Sequence, residues 1–317
     1  MTSILSAKHF HEEKAAYAFL EARVWPNGPV CPHCGGMDRI SKMNGASTRI
    51  GSYKCYQCRQ KFTVKVGTVF ESSHVPLNIW LQAVALLTAS KKGISSNQLH
   101  RTLGVTLKTA WFMSHRIREA MRDGSLAPMG SNGGAVEIDE TYLWEKAERT
   151  ESKQRKGRPY TKSGKSGPGG KRAIISLVER GGLVRSFHVE NADKPTVERI
   201  VVENLSREAR VHTDESRLYG NVATYAASHE SVKHSAGEYV RGDVHTNTVE
   251  GVFSIFKRGM RGVYQHCAEK HLHRYLAEFD FRYNARVALG INDQARADRA
   301  LTGIVGKRLT YQTTRSR

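Results

Sequence analysis

The chain has 317 residues, with 49 Lys and Arg against 30 Asp and Glu, a formal net charge of +19. That length excludes a single small binding domain, and the charge draws the protein to polyanions with an affinity that falls steeply with salt, without separating DNA from RNA. No apolar run approaches the ~20 residues of a membrane span, and the MTSILSAKHFHEEK start lacks a signal-peptide pattern, so a soluble cytosolic protein is expected.

Residues 1–24 are read as an N-terminal helix and residues 25–70 as a zinc ribbon. The ribbon rests on Cys31-Pro-His-Cys34 and Cys55-Tyr-Gln-Cys58, two CxxC knuckles separated by 20 residues, the spacing of a four-thiolate zinc site. Short strands around Tyr53-Lys54 and Phe62-Thr63-Val64 bury no core alone, so one structural Zn²⁺ is expected to fold the module. Disulfides between the same cysteines are disfavoured in a cytosolic chain. His33 sits inside the first knuckle, but four thiolates already fill a tetrahedron. Cys267 has no partner in the pattern and reads as a buried thiol. Lys54, Arg59, Lys61 and Lys65 surround the ribbon and point to DNA contact, with a protein-contact module as the rival reading.

Residues 75–122 read as a helix-turn-helix region. VPLNIWLQAVALLTASKKG is an amphipathic helix stopped at Gly93. ISSNQLHRTLGVTLKTAWFMSHRIREAM adds a helix, a Leu-Gly-Val turn and a second helix over about 107–121. That second helix would enter a major groove with Lys108 and Thr109 at its start and Trp111, His115 and Arg118 further along. Lys108, Thr109 and Arg118 are the DNA-contact candidates, and a plain helical pair is the alternative.

DGSLAPMGSNGG, residues 123–134, is a Gly-, Ser- and Pro-rich linker. A domain over 135–290 follows. Its insertion at 146–172 holds ten Lys and Arg against two Glu and is expected to close over DNA or remain a solvated loop. RAIISLVERGGLVRSFHVEN predicts two strands about a Gly181-Gly182 turn, and TVERIVVENL predicts a helix. HLHRYLAEFDFRYNAR predicts a closing helix whose Tyr275, Phe279 and Tyr283 stripe is core. Residues 291–317 read as a basic tail.

Three carboxylates stand out. Val136 and Ile138 alternate with Glu137 and Asp139, and Val211 precedes a polar HTDE, so Asp139 and Asp214 sit where strands leave a sheet. Glu250 lies among Val249, Phe253 and Phe256 at helical spacing, and Lys257, two turns on, returns to nearly the same face. Hard cations such as Mg²⁺ take a few carboxylate oxygens plus substrate phosphate, so these acids suit a two-metal phosphoryl-transfer site with ions ~4 Å apart. His212, Tyr219 and His245 flank the acids as supporting groups. No Ser, Cys or His triad is evident.

On these residues, from about Trp25 to about Tyr283, the chain resembles bacterial insertion-sequence transposases of the DDE type with an N-terminal zinc ribbon. The resemblance implies a mixed α/β chain with a ribonuclease-H-like catalytic domain. Asp139, Asp214 and Glu250 match the three acids and would hold two Mg²⁺ or Mn²⁺ ions, with Lys257 as the basic residue that contacts phosphate. Asn247, three residues before Glu250, is an alternative third ligand, because some relatives use asparagine there, and Glu137 competes for the first position. The implied partners are double-stranded DNA at element ends and target, and at least a second copy of the chain. A DNA-binding regulator with an inactive catalytic domain and a hydrolytic nuclease are the rival functions.

Overall fold

The computed structural model describes residues 4–122, 124, 127–145 and 170–310. The expectations for insertion residues 146–169 and tail residues 311–317 lie outside them. The elements begin with α1 (Glu13–Val24), β1 (Ile40–Lys42), β2 (Tyr53–Cys55), β3 (Lys61–Phe62), α2 (Leu77–Ala89), α3 (Ser96–Leu103) and α4 (Leu107–Met121). Then come β4 (Ala135–Glu145), β5 (Lys171–Glu179), β6 (Val184–Val189), α5 (Lys194–Asn204), β7 (Arg210–Asp214) and β8 (Ser228–Val232). The chain continues through β9 (Val240–Arg241), β10 (Val244–His245), α6 (Asn247–Gly259), α7 (Leu272–Asn284) and α8 (Asp293–Thr302).

Two compact units divide this order. One comprises Met1–Asp123 with Ala285–Arg317, the other Gly124–Asn284. In the first, β1, β2 and β3 form a small antiparallel sheet, and Trp25 sets its ring edge-on to Tyr53 and Phe62 beneath it. Helix α2 is buried nearly all round, through Leu77, Trp80, Leu81, Ala83, Val84, Ala85, Leu87 and Thr88. It is therefore a core helix rather than the amphipathic one expected, and it ends at Ala89, short of Gly93. Ser95 caps α3 by accepting from Gln98 N–H, Gly104 at φ +67° closes it, and Thr106 caps α4 by accepting from Thr109 N–H.

The expected basic tail is corrected. Residues 293–302 form α8, which packs on α2, α1 and α4 within the same unit. Its Ala297, Ala300 and Leu301 are buried, and buried Arg296 donates to the Thr88 carbonyl at the end of α2 (3.2 Å) and to the Ala285 carbonyl (2.7 Å). A cation satisfying the last carbonyls of a helix gains from both hydrogen bonding and the helix dipole. The boundary at 290 also moves, since Ala285 already belongs to the first unit.

The second unit is built on a five-stranded sheet in the order β6-β5-β4-β7-β8. Strands β4, β7 and β8 pair in parallel, whereas β5 is antiparallel to both β4 and β6. This 3-2-1-4-5 order with the second strand reversed is the ribonuclease-H-like arrangement. Strand β5 is buried on both faces, as its unbroken apolar run requires. Ala173, Ile175 and Leu177 join the core beneath α5, and Ile174 and Val178 join the one beneath α6 and α7. The last two residues assigned to the insertion, Lys171 and Arg172, are strand, and Arg172 is buried with a hydrogen bond to the Cys267 carbonyl. Nor are residues 127–134 a loose linker. Met129 is buried, donates its N–H to the Asn204 carbonyl and accepts from Ser206 N–H, because its apolar side chain completes the core beneath α5.

Helix α7 closes the edge strand β6, a protection an exposed edge needs. Asn284 accepts from Val184 N–H (2.7 Å) and donates to the Val184 carbonyl (3.0 Å), and Asp280 accepts from Ser186 N–H (2.7 Å) and Oγ–H (2.8 Å). Burial pushes the Asp280 carboxyl up to about 7, outweighing the two hydrogen bonds from Ser186 that favour its ionised form. An unfolded Asp titrates near 3.9, so between about pH 4 and about pH 7 the folded chain keeps a proton that the unfolded chain loses. Stability should fall as pH rises through that window, by at most about 1.4 kcal/mol per pH unit for one proton. Urea midpoints at pH 5 and pH 7 should show this slope in the wild type and a flatter one in Asp280→Asn.

Candidate active site

The acids meet at the carboxyl ends of two neighbouring parallel strands. The β4–β7 ladder ends at Glu137 opposite His212, so two residues further on Asp139 and Asp214 come level as the strands part. The chain passes from β4 to the β5–β6 side and returns to β7 on the other, and such a reversal opens a crevice at the strand ends. Asp139 Oδ1 accepts from Glu140 N–H (2.8 Å), and Asp214 Oδ1 accepts from Ser216 N–H (2.9 Å).

Helix α6 forms the facing wall. Glu250, Ser254, Lys257, Arg258 and Arg261 share one side of it, the last within a π-helical extension, Met260–Tyr264. Together with Asp139, Glu140, Thr141, Asp214, His234 and Phe253 they line a cleft of about 520 Å³. Glu250 is 47% exposed, accepts from the Thr246 hydroxyl (3.1 Å) and has His234 Nε2 at 3.9 Å. The cleft thus holds four carboxylates beside the cations Lys257, Arg258 and Arg261.

Electrostatics bind the group together. Burial, then the charges of Glu140, Asp214 and Glu250, push Asp139 up to about 8. Burial also raises Glu140, against the hydrogen bond it accepts from the Tyr219 hydroxyl. Lys257 is lowered by burial and by Arg261, with Asp139 acting in the opposite sense. Mutual repulsion of this kind is what a divalent cation relieves, and carboxylate oxygens are the donors Mg²⁺ and Mn²⁺ prefer, so the residues fit such ions.

Several sequence candidates fall elsewhere. Asn247 is exposed and outside the cleft lining. Glu137 also lies outside it: the pleat puts it on the same face as Asp139, but there it is wholly buried against the start of α6, taking the N–H groups of Thr248 and Val249. His212 is buried and His245 lies beside Glu137, both away from the cleft lining. Tyr219 reaches the site through Glu140. Glu140, Thr141, His234, Arg258 and Arg261 were not singled out in the sequence. Arg258 and Arg261 were nonetheless readable as continuing the Glu250–Lys257 helical face.

In the ribbon, the Sγ atoms of Cys31, Cys34, Cys55 and Cys58 all lie within 4.8 Å of one another. Cys31 to Cys58 is 3.6 Å and Cys34 to Cys55 is 3.7 Å, close to the roughly 3.8 Å edge of a tetrahedron with 2.3 Å Zn–S bonds. The N–H of Cys58, with that of Gln57, brings the Cys55 thiol down to about 7, whereas, against the N–H of Gln60, burial and the neighbouring sulfurs push Cys58 up to about 12, so the four thiols compete to ionise until a cation joins them. The four cysteines fit a structural zinc ion.

Among the DNA-contact candidates, Arg59, Lys61 and Lys108 are exposed, Thr109 is half-buried, and Lys54 lies 5.2 Å from the Tyr56 ring. Arg118 is corrected: it is 1% exposed and donates to Ser114 Oγ (3.0 Å), because α4 turns into the core after its first turn. His115 is buried there as well. Lys65 is likewise a strut, half-buried and donating to the Ser73 carbonyl (2.9 Å).

Comparison with known proteins agrees with this geometry. Residues 132–284 match the ISXO2-like transposase domain and residues 11–61 the transposase zinc-ribbon domain. The uncharacterized protein in transposable element ISH50 of Halobacterium salinarum is 32% identical over 298 residues, spanning 88% of this chain and 93% of that protein. Among solved structures, the Mos1 strand transfer complex aligns at 13% identity over 67% of this chain and 77% of that one, with a TM-score of 0.23. The Mos1 transposase paired-end complex with left transposon end aligns at 12% over 63% and 78%, with a TM-score of 0.19. The chain belongs to the ISXO2-like transposase family. It is a DNA transposase, an enzyme that cleaves and transfers DNA, and none of its described helices is long and apolar enough to cross a membrane.

Cys55→Ser, or a strong chelator, should release zinc and unfold the ribbon, seen as zinc-dye colour together with loss of the near-ultraviolet signal of Trp25 and Tyr53. Lys108→Ala should weaken DNA binding uniformly across sequences and reduce the salt slope by about 1. Arg118→Ala should instead lower stability, on the order of 2 kcal/mol, as a core substitution does.

Proposed function

We propose that this transposase binds the ends of its mobile element and performs metal-dependent strand cleavage followed by strand transfer. The observation that carries the reading is one cleft lined by Asp139 and Asp214 from the sheet and by Glu250, Lys257, Arg258 and Arg261 from α6. Two Mg²⁺ or Mn²⁺ ions held by the three acids would activate the attacking oxygen and stabilise the leaving one. Glu140, fixed by Tyr219, adds a fourth carboxylate beside them. Lys257 and its neighbours on α6 hold the phosphodiester against the acids, which places the scissile phosphorus between opposite charges.

In the first reaction water attacks at the element end, the bond to the 3′-oxygen breaks, and that oxygen leaves as a hydroxyl. In the second that 3′-hydroxyl attacks a target phosphodiester, so one P–O bond forms as another breaks. Lys54, Arg59 and Lys61 on the ribbon, with Lys108 and Thr109 on the first turn of α4, position the element end. Joining two ends calls for two such sites, hence a homodimer or larger assembly on double-stranded DNA, acting at the nucleoid in the cytoplasm.

The test is incubation of the zinc-loaded protein with labelled element-end DNA and a plasmid target, in Mg²⁺ and in EDTA, beside Asp214→Asn. Joined product that needs the metal and disappears in the variant is expected. Cutting without joining would replace this reading with a nuclease, and end binding with neither reaction would replace it with a regulator.

A further inference from the structure

Helix α6 does not cap itself. Thr246 occupies the capping position, but its hydroxyl donates to Glu250 Oε1 and no side chain of the segment accepts from the first-turn amides. That task falls to Glu137 on β4, at a separation of 111 residues from Thr248. Its Oε2 accepts from Thr248 N–H (2.8 Å) and Val249 N–H (3.0 Å), the two amides a local capping residue would take. Its Oε1 accepts from Thr248 Oγ–H (2.7 Å) and from Arg180 Nε–H (2.7 Å), with His245 Nδ1 at 3.2 Å. Arg180 also donates to the carbonyls of Asp243 and His245, so the strand leading into α6 is held from the same point.

We propose that Glu137 is a positioning residue for Glu250, acting through the first turn of α6. The proposal rests on the reading of Glu250 as a cation ligand. Asp139 stands two residues beyond Glu137 on the same face of the same strand, so β4 carries one site acid and also the clamp on the helix that brings another. The separation of Asp139 from Glu250 is thereby set by a strand and the hydrogen bonds of a buried carboxylate, and not only by the chain between β8 and α6. Glu250 follows the clamped amide of Val249 directly, and its own N–H continues the turn to the Thr246 carbonyl (3.1 Å). Loss of the clamp would displace the Glu250 carboxylate without touching Asp139 or Asp214.

The test is a double-mutant cycle on Mn²⁺ binding to the zinc-loaded full chain, followed by electron paramagnetic resonance, with Glu137→Gln and Thr248→Ala each made in the wild type and in Glu250→Gln. Glu137→Gln should weaken Mn²⁺ roughly 10–100-fold in the wild type and have no further effect once Glu250 is gone. Thr248→Ala, which removes one donor and leaves the buried pair, should do the same to a smaller extent and decides the matter if Glu137→Gln fails to fold. An equal loss in both backgrounds, or unchanged affinity in the wild type, overturns the proposal while leaving Glu250 a ligand. Unchanged Mn²⁺ binding in Glu250→Gln alone overturns the reading of Glu250 itself, and this proposal with it.

Discussion

Glu137 has no exposed surface, and both of its carboxylate oxygens are engaged, by two amides and a hydroxyl of α6 and by the guanidinium of Arg180. A buried carboxylate is tolerated only with such company, and its ionic partner Arg180, 21% exposed, reaches it from the surface. The sheet and the helix wall of the cleft are therefore joined by a contact that tolerates little variation. Parallel pairing of β4 and β7 levels Asp139 with Asp214, and the anchored first turn of α6 brings Glu250 to the same opening. Without that anchor the third acid would ride on a helix set only by apolar packing of Val249, Phe253 and Phe256.

Both walls of the cleft carry acids, and its cations all come from α6 and its extension. The sheet side supplies acids whose repulsion is partly relieved by fixed donors, Tyr219 to Glu140 and the amides of Glu140 and Ser216 to the two aspartates. The helix side supplies the acid Glu250 and, two to three turns further on, Lys257, Arg258 and Arg261. A phosphodiester entering this cleft would meet both cations and cation-seeking acids. Such preorganisation costs least when the supporting elements are rigid, and here they are a central strand pair and an anchored helix.

In the first unit, cations do two kinds of work. Arg116, Arg118 and Arg296 are buried, and each donates hydrogen bonds inside the unit: Arg116 to the carbonyls of Glu71 and Leu309, Arg118 to Ser114, Arg296 to the end of α2. A net charge of +19 therefore overstates what this surface offers to DNA. The exposed cations of the ribbon and the first turn of α4 remain, and the start of a helix is where groove-reading residues of this motif lie. A zinc ion on the four cysteines would supply the internal support that the small aromatic cluster of Trp25, Tyr53 and Phe62 lacks.

The sequence alone determined the features that depend on near neighbours. The CxxC pair reads directly because a zinc tetrahedron is assembled from two short turns. The apolar alternation before Asp139, the polar end of the Asp214 strand and the helical spacing of Glu250 and Lys257 read directly because strand and helix periods are local. Tertiary structure decided what depends on register and on distant partners. It buried Glu137 under the first turn of α6 and left Asp139, two residues on along the same face, in the cleft, because α6 seats its start on the first and runs past the second across open space. It brought Glu140 and His234 into the cleft, folded 293–302 onto α2 in place of a free tail, and buried Arg118. Each outcome follows from long-range packing, whose effect on a polar side chain is set by whichever donor or acceptor the fold brings within about 3 Å.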